Sequence, residues 1–198
     1  MTMQTRCALV GMLLAAATTM AHAQALRGTI EKVDGNALTL RASDGAELKL
    51  TLAENAIVVA VVKASIAEIK DGTFVGSAAM PQPDGSQKAL EVHIFPEPMR
   101  GTGEGHRSYA PVPNSTMTNG STAGMTVAGV DGQTLVVKYQ GGEKTIVVPP
   151  GTPIVRYEIG SRSDLRPGAR FAVFTPVKKA DGTTEASRIN VGRDDVVP

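Results

Sequence analysis

The chain has 198 residues, and its 20 basic and 19 acidic side chains give a formal net charge of +1. A hydrophobic content of 42%, with 21 glycines and 12 prolines, is typical of a globular protein and excludes disordered and collagen-like chains. Balanced charge offers no broad basic surface for nucleic acid or an anionic membrane. The 4% aromatic content, without tryptophan, leaves little surface for stacking on bases or sugars.

Residues 1–23 have the pattern of a signal peptide. A single positive charge at Arg6 precedes an apolar run from Cys7 to Ala17, and Ala21-His22-Ala23 forms an A-x-A cleavage site. The apolar run is shorter than the roughly 20 residues that a membrane helix needs, which favours cleavage over anchoring. We therefore expect a periplasmic or secreted protein without a membrane span. Cys7 would leave with the peptide, which excludes disulfides, thiolate nucleophiles and cysteine zinc sites from the exported chain.

The remainder of the chain repeats one pattern at an offset of 97 residues, because Val33-Asp34-Gly35 recurs as Val130-Asp131-Gly132. Gly72 matches Gly168 after a slip of one residue. Self-similarity that persists along the chain predicts a tandem duplication. Further matches at the same offset pair Leu38 with Leu135, Leu40 with Val137, Ile57 with Ile154, and Asp84-Gly85 with Asp181-Gly182.

Alternating apolar residues predict half-buried strands, and Asp-Gly pairs between them predict tight hairpins. Ser65 to Gly72, and its counterpart Ser163 to Gly168, predict short helical turns. Five strands with a helical turn between the third and fourth is the order of an OB-like barrel; a small β-sandwich is the alternative. We expect Leu38, Leu40, Leu48, Leu50, Val92 and Ile94 inside the first barrel, and Leu135, Val137, Val147, Ile189 and Val191 inside the second.

The predicted fold class is all-β, with two tandem small OB-like five-stranded barrels, each carrying one short helical turn. The first barrel would span residues 24–95 and the second residues 121–198. A Pro/Gly-rich linker, residues 96–120, would join them, since it holds four prolines and four glycines.

Three segments also resemble a bacterial family of exported β-barrel modules of unknown function. Its pattern begins G-x-(V/I)-x-x-(V/I)-(D/N)-G and continues with L-K-x-G-x-x-V. The matching residues are Gly28 to Gly35, Ile69 to Val75 and, in the second copy, Leu165 to Phe171. The resemblance implies a periplasmic tandem OB-like module, and it implies a fold more than an activity.

The linker is the unusual segment of the sequence. Gly101 to Gly105 lacks the flanking strand, helix and Gly-Lys-Ser/Thr of a phosphate loop, which disfavours nucleotide binding. Imidazole and thioether side chains suit copper in an oxidising compartment, so a metal site is one interpretation. The other is a recognition segment that folds back on the barrels or on a partner, in which Arg100 and Arg107 suit an acidic partner. The candidate metal ligands are His93, Met99, His106 and Met117.

A second candidate interface lies in the second copy, where Val136, Ile146 and Val148 take the places of outward-facing Thr39, Lys49 and Thr51. An apolar outer strip on an exported module is normally covered. We expect the linker, the first barrel or a partner protein to cover it.

Catalysis has little support in the sequence. Only His93 and His106 of the exported chain could act as imidazole bases, and no G-x-S-x-G motif is present. We expect no catalytic residues and no cofactor, with copper as the exception if the metal interpretation holds. The predicted function is a non-enzymatic binding or accessory protein of the bacterial envelope, acting through barrel surfaces and the linker on an envelope protein or small ligand. The alternative is a periplasmic copper or other metal-binding accessory protein.

Overall fold

The structure is a computed structural model that describes residues 25–128 and 132–198, and these ranges hold thirteen strands and short 3-10 turns. The predicted signal peptide lies outside the described residues. So do Val130 and Asp131, the first two residues of the second Val-Asp-Gly motif. The 3-10 turns include Ile66–Glu68, Glu97–Met99 and Arg162–Asp164. The strands are β1 (Leu26–Asp34), β2 (Ala37–Ala42), β3 (Glu47–Lys63), β4 (Phe74–Pro81), β5 (Gln87–Ile94), β6 (Gly105–Ser108), β7 (Thr116–Ala128), β8 (Gly132–Tyr139), β9 (Gly142–Val148), β10 (Ile154–Ile159), β11 (Arg170–Val173), β12 (Val177–Lys178) and β13 (Thr184–Gly192).

Five strands close into a barrel, called here the first ring, in the order β1, β2, β3, β13, β11 and back to β1. The β3–β13 pair is parallel and the other four are antiparallel. Alternate residues point inward and bury an aliphatic core around Phe171. Its largest members besides Phe171 are Ile30, Leu38, Leu40, Leu50, Leu52 and Ile189.

The second ring joins β4, β5, β9, β8 and β7, and β7 returns to β4 over six residue pairs. Its closure between β5 and β9 is a short parallel pair, Gln87 opposite Ile146 and Lys88 opposite Val147. The core inside this ring includes Ile69, Val75, Val92, Ile94, Leu135, Val137, Ile146 and Val148.

The predicted boundaries do not coincide with these rings, because each ring takes strands from both halves of the chain. Val92 and Ile94, expected in the first barrel, lie in the core of the second ring, while Ile189 and Val191 lie in the core of the first. The cause is the length of β3. Its 17 residues extend for roughly 55 Å at 3.2–3.4 Å per residue, further than one small barrel requires. The strand stays paired with β13 as far as Val61 and pairs with β10 from Val59 to Lys63, and the chain then enters the second ring as β4 and β5.

The register of β9 also differs from the prediction. Ile146 and Val148, predicted to form an outward strip, face the core of the second ring, and Val147, predicted inside, is only half-buried. Arg41 pairs with Glu47 across five residues, 42–46, whereas the equivalent residue Lys138 pairs with Glu143 across four, 139–142. A shift of one residue turns every side chain of a strand to its other face. Of the three residues of the predicted strip, Ile146 and Val148 are buried and Val136 is half-buried.

The segment predicted as a linker is part of the second ring. It contains β6 and the beginning of β7. The beginning of β7 pairs with β6 and β4, and the remainder of β7 pairs with β8. Residues 96–120 therefore form a structural element rather than a connection between barrels.

Candidate functional site

A continuous sheet crosses the region where the two rings meet. It runs β13–β3–β10–β5, and we call its outward side the junction face. Arg188 lies opposite Ile57, and the pairing places Asn190 and Ile159 on either side of Val59. Tyr157 lies opposite Val61, and His93 lies opposite Val155.

The middle of the junction face is aromatic and fully packed. The ring of His93 stacks on Tyr157 at 5.1 Å between centroids, and Phe95 meets both rings edge-on at 5.2 Å. Edge-to-face and offset contacts of this kind add to the stabilisation from burial. The buried cluster comprises Val59, Val61, Phe74, Phe95, Met99, Val155 and Tyr157.

Residues 96–120, called here the central segment, fold back over this cluster, and the 3-10 turn Glu97–Met99 buries the Met99 side chain in it. Arg100 fixes the turn, because its guanidinium donates to Glu97 Oε1 at 2.6 Å and to the Gly72 carbonyl at 3.0 Å. Arg107 donates to the Gly103 carbonyl at 2.6 Å. The two arginines predicted to lie at an interface thus stabilise the segment itself.

His93 does point outward from the second ring, as its strand position predicts, but it is only 5% exposed. Its Nδ1 is buried and has no hydrogen-bond partner among the residues that the structure describes, and Glu91 Oε1 lies 3.6 Å away, too far for a hydrogen bond. Gly76 makes this packing possible, since a Cβ there would lie 2.0 Å from His93 Nε2. The imidazole is therefore held by its aromatic neighbours.

The candidate metal ligands do not share one face of the sheet. His106 lies opposite Thr118 and its Nδ1 is 2.8 Å from Thr118 Oγ1, whereas Met117, the next residue along β7, lies opposite Arg107. Successive side chains of a strand point to opposite faces, so His106 and Met117 diverge. Met99 is enclosed by the aromatic cluster. Within residues 25–128 and 132–198, no group of three or more His, Cys, Asp or Glu side chains is arranged to hold a metal ion.

Arg188 is the charged residue at the edge of the cluster. Its Nε donates to Asn190 Oδ1 at 3.2 Å, and its guanidinium carbon lies 5.9 Å from the centre of the Tyr157 ring. In the part of the chain that the structure describes, no carboxylate lies within 4.0 Å of it. Burial lowers the pKa of Arg188, as expected for a cation that is partly removed from water without an acid beside it.

The neighbouring arginines are paired. Arg193 contacts Asp164 at 2.7 Å and Glu158 at 2.6 Å, and Arg156 contacts Glu158 at 2.9 Å and also Glu68. This chain of ions joins the two 3-10 turns in which Glu68 and Asp164 complete capping boxes. Arg188 differs from these two arginines in having no such partner within residues 25–128 and 132–198.

Arg188 is flanked by apolar residues that remain open to solvent. Ile57 is 54% exposed and Ile159 is 59% exposed. Most other outward residues of β3 and β10 near them are covered by the central segment or by neighbouring side chains. An exposed pair of isoleucines beside a half-buried arginine and a tyrosine resembles the centre of a protein-binding surface, where arginine and tyrosine are enriched.

The remaining polar groups near Tyr157 are engaged within the molecule. Arg27 donates to Tyr109 Oη at 3.1 Å and to the main-chain oxygen of Pro198, and its guanidinium lies 5.2 Å from the Phe174 ring centre. Burial raises the pKa of Tyr157 above its ordinary value, to which the nearby Glu91 carboxylate adds, and burial raises the pKa of Tyr109 as well. Both phenols are therefore neutral at physiological pH and serve as aromatic and hydrogen-bonding groups.

Comparisons with known proteins found no matching family model, no matching curated protein and no matching solved structure. Among the described residues, no helix has the length and apolar character required to cross a membrane.

The sequence pattern indicates His93 and the central segment as candidate functional residues, but it does not indicate Arg188, Tyr157, Ile57 or Ile159. Alternation along β13 indicates that Arg188 faces outward between inward-facing Ala186 and Ile189, after a bulge. Nothing in the local pattern shows that it lacks an acidic partner. That property depends on β3 and β10, which lie far away in the chain.

Proposed function

We propose that this chain is an exported, non-enzymatic binding module of the bacterial envelope and that the junction face is its binding surface. The observation that carries the proposal is the arrangement at one edge of that face. Among the described residues, half-buried Arg188 has no carboxylate partner, and it shares the junction face with Ile57 and Ile159, which are more than half exposed. Burying a charge without a partner is costly, and such an arrangement is favourable when a bound partner supplies the missing interactions.

The chemistry of the site supports binding rather than catalysis. Tyr157 and Tyr109 are neutral phenols, and His93 is enclosed by aromatic rings with its Nδ1 beyond hydrogen-bond distance of Glu91. Export is supported by the signal-peptide pattern of residues 1–23.

We further infer that the two rings derive from a duplicated unit whose last strands are exchanged. The equivalent turns at Asp84 and Asp181 support this. Each aspartate accepts hydrogen bonds of 2.9 Å from the backbone and 2.7 Å from the hydroxyl of the residue two positions on, Ser86 or Thr183. The parallel pairs β3–β13 and β5–β9 close the two rings in the same way.

Site-specific photo-crosslinking tests the proposed surface. A photoreactive amino acid is placed at Ile159 and, as the matched control, at Val177, which is 54% exposed but lies on β12, away from the junction face. In a bacterial host that exports the protein, we expect a discrete higher-mass adduct at Ile159 that is absent at Val177. Equal labelling at both positions, or none at Ile159, would contradict the proposal.

A further inference from the structure

The proposed binding function, on which this inference rests, leaves open what the surface recognises. We infer that Arg188 binds a carboxylate of an acidic peptide segment of a partner protein, flanked in that segment by apolar side chains that pack on Ile57 and Ile159.

The first argument is the hydrogen bonding of Arg188. Within the described ranges its guanidinium makes one hydrogen bond to the protein, from Nε to Asn190 Oδ1. The two Nη groups have no protein acceptor there, so the fork that matches a carboxylate in two parallel hydrogen bonds is available. The position of the guanidinium over the Tyr157 ring limits its rotation and reduces the entropy lost on binding.

The second argument is the charge of the surroundings. Arg156 and Arg193 are each paired with two carboxylates, and Arg27 is held by Tyr109 and Pro198. Arg162 donates to the main-chain carbonyls of Ala53 and Glu54. Among the described residues of the junction face, Arg188 has neither a carboxylate nor a main-chain carbonyl partner, and a single cation of this kind matches a single carboxylate. A phosphate-rich lipid surface or a nucleic acid would call for several cations, since affinity for these polyanions grows with each neutralised phosphate.

The third argument is the spacing of the apolar residues. Ile57 lies on β3 directly opposite Arg188, and Ile159 lies on β10, opposite Val59. By this register both side chains lie on the same face of the sheet as Arg188, Ile57 on the neighbouring strand and Ile159 two strands away. An extended segment with the pattern apolar-acid-apolar can therefore place its carboxylate on Arg188 while its flanking residues cover the isoleucines, and burial of that apolar surface favours binding.

Selection from a phage-displayed library of random heptapeptides tests this inference with defined probes. Peptides selected on the wild-type protein are synthesised and titrated against wild type, Arg188→Ala, Arg188→Lys and the control Arg41→Ala, whose own guanidinium is exposed and contacts Glu31 at 2.6 Å. We expect Asp or Glu next to apolar residues in the selected peptides. We also expect at least about a tenfold loss of affinity in Arg188→Ala, the equivalent of one charged hydrogen bond, and no loss in Arg41→Ala.

Arg188→Lys should recover only part of the affinity, because an ammonium group cannot form the paired hydrogen bonds. Thermal unfolding by circular dichroism confirms that each variant is folded before it is titrated. Peptides without acidic residues, or peptides that bind Arg188→Ala as tightly as wild type, would overturn the inference. Arg188-dependent binding to phosphatidylglycerol vesicles, or Arg188-dependent self-association, in place of peptide binding would also overturn it.

The two proposals fail separately. A crosslink at Ile159 that persists in Arg188→Ala, together with selected peptides that lack acids, would leave the binding surface in place and refute carboxylate recognition. Absence of the crosslink at Ile159 would refute the binding surface itself.

Discussion

Arg188 lies with its guanidinium carbon 5.9 Å from the centre of the Tyr157 ring, although the two residues belong to strands that do not pair with each other. β3 lies between β13 and β10, so the arginine side chain crosses over β3 to reach the tyrosine. A cation placed in this way, with no acid beside it among the described residues, contributes little to the stability of the fold. It is the central feature of the proposed binding surface.

Replacement of Arg188 should therefore not destabilise the protein. For Arg188→Met we expect a free energy of unfolding equal to or above that of wild type, because the desolvation penalty of an unpaired cation is removed. For Arg193→Met we expect a decrease of about 1 kcal/mol, the scale of a partly exposed ion-pair network. Urea unfolding followed by circular dichroism measures both. A large loss of stability in Arg188→Met would show that the residue is structural.

The ion pair at Asp164 predicts how stability depends on pH. Hydrogen bonds from Arg193 hold the pKa of Asp164 below its ordinary value of 3.8. A carboxylate with a lowered folded-state pKa stabilises the protein above its unfolded pKa, and that stabilisation is lost as the pH falls through the folded value.

We therefore expect the urea midpoint of wild type to fall below pH 3.8 more steeply than that of Asp164→Asn. At neutral pH the variant should already be the less stable protein. Parallel curves for the two proteins through the acid range would contradict this role of Asp164.

The register of β9 can be tested by two neighbouring substitutions. Ile146 is fully buried in the second ring, so we expect Ile146→Ala to lower the free energy of unfolding by about 2–5 kcal/mol. Val147 is half-buried on the outer face, and Val147→Ala should cost less than about 1 kcal/mol. Urea unfolding measures both losses. A larger loss in Val147→Ala than in Ile146→Ala would contradict the observed register and support the one expected from the sequence.

Met99 should hold the central segment against the aromatic cluster. Met99→Ala removes a side chain that is 8% exposed, and we expect it to lower stability by about 2–5 kcal/mol and to accelerate tryptic cleavage after Arg100 and Arg107. Met125→Ala is the control, because Met125 is 40% exposed. Equal cleavage rates in the two variants would show that Met99 does not anchor the segment.

Local features of the fold could be predicted from the sequence because they depend on neighbouring residues. The alternation of Leu38 and Leu40 gives a strand with both residues in a core, and Ser65 with Glu68 gives a capped turn. The all-β class follows from many such segments.

Long-range pairing could not be predicted in the same way. The strand that completes the first ring could have been β5 or β13, since Val92-His93-Ile94 and Ile189-Asn190-Val191 have the same alternation. The choice depends on how far β3 extends, and its apolar alternation is interrupted at residues 53–56, where the strand bulges against β13. The pattern therefore does not show that one strand continues to Lys63. The one-residue difference between the hairpins was visible only as the slip between Gly72 and Gly168, which does not say where the residue is missing.

The proposed exchange of strands between two copies of one unit accounts for the junction face, and a pair of cysteines tests it directly. Thr29 on β1 lies opposite Arg170 on β11, and antiparallel neighbours with Cα atoms about 4.5–5.5 Å apart are within reach of a disulfide. In a Cys7→Ala background, we expect Thr29→Cys with Arg170→Cys to form an intramolecular disulfide under mild oxidation, and the control pair Thr39→Cys with Arg170→Cys to remain reduced. Failure of the first pair to close, in protein shown to be folded, would contradict the exchange, since a barrel built from residues 24–95 alone would leave Thr29 and Arg170 apart.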